Sequence, residues 1–330
     1  MSTKPKKPGR LEREMEALRP ALAQPSAPAA RELLQGALRR SCSFVVARAA
    51  EVIREHSLAG LEADLQRAFE RFLDSPVKSD PGCKAKQAIL EALDFLESAD
   101  EKPFLAALRH FQKEPAWGAP VDTACGLRAR GALGLARLGH GELLLLMADL
   151  LADPEAPVRQ AAAEAIAHRG DPAGAALLQL KLHAGDAEGL VTLACASGLL
   201  ALAPEWGVAK LDALLQGEAE DLREIAALAL GQSRREDALE RLLSALSAEV
   251  LSRRRAVLLR ALALNRSDRA LESLLRVIAS GDGSDAKRAI ESLAFRSFEP
   301  GLEQRVREAA ARNAERDLSG AIESAFNARH

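Results

Sequence analysis

Apolar positions recur along this chain at helical spacing, in blocks that return every thirty-odd residues. The clearest block is Asp153 to Asp171, DPEAPVRQAAAEAIAHRGD. An Asp ends one helix, a Pro turns the chain, and a Val-Arg pair opens an Ala-rich helix closed by Gly-Asp. Equivalent helix starts fall at Val45, Ala85, Leu127, Val158, Val191, Leu222, Arg254 and Asp285. From Leu127 onward the spacings are 31, 33, 31, 32 and 31 residues, and before it they lengthen to 40 and 42. Self-similarity at this period marks stacked supersecondary units. Two helices of about a dozen residues and two tight turns fill such a period, so each unit is a helical hairpin.

At 100° per residue, Ala162, Ala165 and Arg169 fall within about 40° of Val158, with Ala161 and Ile166 on the flanks. This stripe predicts the buried side of each second helix. Gln160, Ala163, Glu164 and Ala167 lie opposite it and are expected to face outward. First helices are predicted near 142–151, 173–183, 207–215, 237–246 and 270–279, and their partners near 158–169, 190–202, 222–232, 253–264 and 285–295.

A second periodic signal is charged. Asp153 precedes Arg159 by six residues, as Asp122 precedes Arg128, Asp80 precedes Lys86 and Glu249 precedes Arg255. Asp186 faces Thr192 in the same slots, and Arg223 has no acid six residues before it. An acid just before a helix accepts its free N–H groups and favours the positive end of its dipole. An Arg in the first turn can bridge to that acid or to its neighbour in the next repeat, which predicts a structural ladder of Asp122, Arg128, Asp153, Arg159, Glu249 and Arg255.

With these residues the chain resembles the HEAT repeat, over roughly residues 80–297, with a period like that of the short HEAT-like units of phycobilin lyases and many bacterial proteins. The resemblance implies an all-α, right-handed α-α superhelix of about seven or eight hairpins. The family includes scaffolds, lyases and a DNA glycosylase branch, so it leaves function open. The expected organisation is a flexible arm over 1–28, degenerate repeats and a cap over 29–121, regular repeats over 122–298 and a C-terminal cap over 299–330. In the degenerate part, Trp117 lies in the loop EPAWGAPVD, where it is expected to cover the seam with the regular units or to anchor a partner. Trp206 is expected to pack in the core or at a seam.

Composition narrows the function. A net charge of −2 from 45 basic and 47 acidic residues argues against a nucleic-acid or anionic-membrane footprint. The longest uncharged run, Gly189 to Pro204, is 16 residues and short of the roughly 20 needed to span a bilayer. Cys42, Cys83, Cys125 and Cys195 lack metal-ligand spacing, and equivalent slots in neighbouring units sit too far apart for a disulfide, so reduced thiols and a cytoplasmic location are expected. No phosphate loop, HExxH, GxSxG or tight Cys/His set occurs. Catalytic residues, metal and cofactor are therefore all expected to be none.

The outward slots are poor in charge: Leu133 and Ala136, Glu164, Leu200, Leu228 and Leu259 occupy them in successive units. They predict an apolar track on the concave face that takes a protein or peptide segment, with Trp117 as a further anchor. The expected function is a monomeric, non-enzymatic scaffold or adaptor. The alternative is an enzyme or enzyme accessory, phycobilin-lyase-like or DNA-glycosylase-like.

Overall fold

The computed structural model describes residues 9–313 and 317–327. The basic residues Lys4, Lys6 and Lys7 and the tail Arg329-His330 lie outside the described residues. The protein is all-α. Among the described residues there are twenty α-helices and a single pair of two-residue strands. The chain divides into two compact units, Met1–Arg169 and Gly170–His330.

Unit 1 holds α1 (Arg10–Ala23), α2 (Pro28–Leu38), α3 (Ser43–Glu55), α4 (Glu62–Leu73), the short α5 (Pro76–Ser79), α6 (Lys84–Phe95), α7 (Lys102–Leu108), α8 (Cys125–Leu138), α9 (Leu143–Leu150) and α10 (Ala156–Arg169). Strands β1 (Lys113–Glu114) and β2 (Val121–Asp122) lie between α7 and α8 and pair antiparallel. The hairpins are α2/α3, α4/α6, α7/α8 and α9/α10, and their second helices stack in the order α3, α6, α8, α10. Unit 2 holds α11 (Gly174–Ala184), α12 (Gly189–Leu202), α13 (Pro204–Leu215), α14 (Glu220–Gln232), α15 (Glu236–Ala248), α16 (Ser252–Asn265), α17 (Asp268–Ser280), α18 (Gly283–Leu293), α19 (Leu302–Ala311) and α20 (Ser319–Asn327). Here α12, α14, α16 and α18 stack, each backed by the helix before it, and α19/α20 closes the series against α17 and α18. The repeat read from sequence is thus present as stacked helical hairpins.

Three expectations, one on the arm and two on the tryptophans, are corrected. The arm expected over 1–28 is helical from Arg10 to Ala23, and the helix continues through Pro20. It packs on α2 and α3 with Leu18 and Ala21 buried, so apolar burial outweighs the bond that proline forfeits. Trp117, expected at a seam, covers nothing and is fully exposed. Trp206, expected in a core or seam, is also largely exposed.

The outward face needs the larger correction. Gln160 and Ala167 are half-buried and Glu164 is exposed, close to the prediction, but Ala163 is buried. Its equivalents Ala132, Ala196 and Ala227 are buried too. Leu259, Leu200 and Ala136 are core residues with exposures of 0%, 3% and 4%, while Leu133 and Leu228 are half-buried. These positions do not form an exposed apolar track. Helices α6, α8, α14 and α16 each pack against their own first helix and against a second helix on either side, while α10 packs on α8 and α9 and α12 on α11, α13 and α14, so burial wraps well beyond one stripe. Gly231 shows how close the approach is: a Cβ there would stand 2.2 Å from the Ala261 carbonyl oxygen.

What reaches solvent between neighbouring second helices is ion pairs. Arg54 on α3 meets Glu91 on α6 at 2.7 Å, Arg137 on α8 meets Asp94 on α6 at 2.8 Å, and Arg260 on α16 meets Glu224 on α14 at 3.4 Å. Such pairs add little stability singly. They do keep the strip polar.

The packing of Leu259 gives a direct expectation. Leu259→Ala should lower unfolding stability by about 2–5 kcal/mol through lost burial and a cavity. Denaturant titration checks this, and a loss within experimental error would return the residue to the surface.

Candidate partner-binding site

The densest constellation of buried polar groups in unit 1 surrounds the base of the β1–β2 hairpin. Arg128, in the first turn of α8, is wholly buried. Its Nη1 donates to Asp122 Oδ2 at 2.7 Å and to the His110 carbonyl at 3.1 Å. Its Nε and Nη2 grip Asp153 at 2.9 and 3.0 Å, a bidentate pair with the acid of the following repeat. The guanidinium also lies 4.0 Å from the centre of the Phe111 ring.

The other predicted ladder members are placed as follows. Asp153 and Asp122 each use Oδ1 to accept a backbone N–H two residues on, from Glu155 and Ala124. Arg159 Nη1 donates to the carbonyls of Asp153 and Pro154. Arg255 donates to the Glu249 carbonyl at 2.8 Å, and its Nε pairs with Asp285. Arg223 likewise donates to the Gly217 carbonyl and meets Glu249 at 3.1 Å. Arg128, Arg223 and Arg255 thus each reach the acid of the next unit, and the residue six before supplies a backbone carbonyl to the latter two.

Sequence reasoning missed the centre of the site. Gln112 is buried and joins three segments. Its Nε2 donates to the Asp80 carbonyl and to Glu114 Oε1, its Oε1 accepts from Lys86 Nζ at 3.0 Å, and its backbone N–H donates to Asp122 Oδ1. Lys86, also wholly buried, reaches Asp80 Oδ2 at 3.1 Å. Glu114 Oε1 further accepts from Thr123 Oγ1 and from the Gly82 backbone. These partners lie up to 32 residues apart in sequence, and no local pattern announces them.

Above this base stands an uncharged, exposed tip, Pro115 to Pro120, with Trp117 at its end. Gly118 has φ of +112°, a conformation that strains any residue with a side chain. Phe111 and Val121 flank the ladder, each 54% exposed. A large aromatic displayed on a hairpin with a tightly bonded base is arranged to enter a pocket on another molecule with little ordering cost. Leu133, Ala136, Glu164, Leu200, Leu228 and Leu259 are not brought to this tip.

The chemistry available otherwise is limited. The four cysteines are free, and burial pushes the thiols of Cys83 and Cys195 up to about 11 and about 12, so both are protonated at neutral pH. Among the described residues no cluster of His, Cys, Asp or Glu could hold a metal ion, and no helix is long and apolar enough to cross a membrane.

Two consequences can be measured. Arg128→Met should destabilise by about 3–5 kcal/mol, because buried carboxylates lose their counter-ion. Adding Asp153→Ala should cost less than the sum of the single changes, and strict additivity would deny the coupling.

The second concerns acid. Burial lowers the His110 pKa below its ordinary value, against the bond to Gln112. Burial alone would raise that of Asp122, but the N–H groups of Ala124 and Gln112 and the Arg128 guanidinium prevail and lower it. In both cases the unfolded chain takes up the proton first, so stability falls with pH: first below about 6.5 through His110, then below about 4 through Asp122. His110→Gln should remove the first step in denaturant midpoints measured across pH 5–7. An unchanged slope there would contradict the assignment.

No family model matches the chain, and no curated protein matches it. Among solved structures it is similar to the complex of CpcE and CpcF of phycocyanin lyase from Nostoc sp. PCC7120, at 19% identity and a TM-score of 0.38, covering 86% of this chain and 94% of that one. It is also similar to an engineered protein at 15% identity and a TM-score of 0.34, covering 98% and 95% of the two chains.

Proposed function

We propose that this protein is a non-enzymatic, protein-binding scaffold whose docking element is the β1–β2 hairpin, with Trp117 as the anchor. One observation carries the reading: a fully exposed Trp stands on an uncharged tip, while the hairpin beneath it is bonded into a buried polar network. A large aromatic presented alone at the end of a bonded hairpin is suited to anchor a contact with another molecule. The repeats supply a stiff frame, and the bonded base holds the tip in place, so the partner meets a prearranged surface. The partner is a folded protein with an apolar socket and a hydrogen-bond acceptor for the indole N–H. Half-buried Leu133 and Leu228 contribute at most edges of such a contact, and Glu164 lies on the charged strip.

The test compares the full chain with Trp117→Ala as baits in lysate of the source organism, with captured proteins quantified for both. Truncating an anchor of this kind costs about 2 kcal/mol or more, roughly thirtyfold in affinity. A protein retained by the unaltered chain and depleted on Trp117→Ala, with unchanged helicity and melting, is the expected result. Identical capture profiles would sink the hairpin reading. The alternative, a lyase-like or glycosylase-like enzyme or accessory, would then be pursued by activity rather than by capture.

A further inference from the structure

Unit 2 contains a cleft of about 170 Å³ between the first turns of α14 and α16, closed beneath by the ends of α13 and α15. Its floor is apolar, with Leu215, Ala245, Val257 and Leu258, and exposed Ala248 stands at its edge. Its rim is charged, and most of those charges are already satisfied. Arg223 meets Glu249 at 3.1 Å, Arg254 meets Glu220 at 2.5 Å, and Glu224 is held by Arg260 at 3.4 Å. Two charged lining residues remain, Asp221 on α14 and Arg253 on α16, and among the described residues neither has an ion-pair partner.

We propose that this cleft binds a free α-amino acid with an apolar side chain. The two unpaired groups are of opposite sign, one on each of the helices that wall the cleft, and they do not pair with each other. A ligand carrying only a carboxylate would suit Arg253 and be repelled by Asp221. A ligand carrying only an amine would meet the reverse. A zwitterion satisfies both, its carboxylate on Arg253 and its ammonium on Asp221; Glu220, the lining carboxylate that also feels the Arg253 charge, is itself bonded by Arg254. The side chain then enters the floor. An apolar cavity of about 150 Å³ takes a six-carbon ring, so a side chain of the size of leucine's fits here. This site is independent of the Trp117 hairpin, and either can fail without the other.

Isothermal titration of the full chain tests the proposal with four probes. L-leucine carries both charges and the side chain. N-acetyl-leucine lacks the ammonium and stands for a peptide C-terminus; leucinamide lacks the carboxylate and stands for an N-terminus. Glycine lacks the side chain. Leucine should bind saturably, and the other three at least about tenfold more weakly, since each forfeits a charged hydrogen bond or the apolar contact. Arg253→Gln and Asp221→Asn should each weaken leucine binding at least about tenfold, and Ala248→Phe, which crowds the cleft from its edge, should abolish it. Should Ala248→Phe unfold, the two exposed rim variants decide the matter. No leucine binding at millimolar concentration, equal binding of N-acetyl-leucine or leucinamide, or rim variants that bind as before would each overturn the proposal.

Discussion

A guanidinium cannot be taken wholly out of water unless its donors are met, and Arg128 is wholly out of water. Its neighbours follow from that requirement. Asp122 and Asp153 supply opposite charge, the His110 carbonyl takes a further bond, and the Phe111 ring lies against the guanidinium. These groups come from the loop after α7, from β2 and from the turn before α10. One residue therefore fixes how α8 meets the hairpin on one side and the following repeat on the other. Asp122 then has to bond Gln112, and Gln112 has to bond Lys86 and Glu114, because each is drawn into the same buried volume.

The same logic explains a gap in the ladder. Along the ladder an Arg reaches the acid of the next unit: Arg128 to Asp153, Arg223 to Glu249, Arg255 to Asp285. At one rung both members are missing, with Thr192 in the basic slot of α12 and Gly217 in the acidic slot before α14. Thr192 is buried, and losing either charge alone would strand the other in the interior. Losing both leaves nothing unpaired. A six-residue offset viewed within one unit makes Thr192 and the isolated Arg223 look like separate exceptions, whereas pairing between units makes Thr192 and Gly217 one event.

The fold was legible because a repeat is written many times over. The predicted second helices agree with α10, α12, α14, α16 and α18 to within a few residues. The exposed surface was less legible for a physical reason. A helical wheel treats each helix as alone, and it sent Ala163, Leu200 and Leu259 outward. Packing against the neighbouring helices buries them, and that depends on interhelix distances that no single helix encodes. Small residues such as Gly231 were the available hint, since they mark close backbone approach. Trp117 could be singled out as a loop aromatic, but its exposure depends on the two-residue ladder below it, and Gln112, the residue holding that ladder, carries no periodic signal.

The central claim is that the hairpin is a rigid part of the repeat array and its tip a presented surface. Native-state hydrogen exchange tests this most directly at the amides of Gln112, Thr123 and Ala124, which donate to Asp122 Oδ1, the Gln112 carbonyl and Asp122 Oδ1. Although they flank a surface loop, they should exchange as slowly as amides within α8, opening only with the repeat itself. Exchange at the rate of an unstructured loop would contradict the claim and leave Trp117 on a tether rather than on a frame.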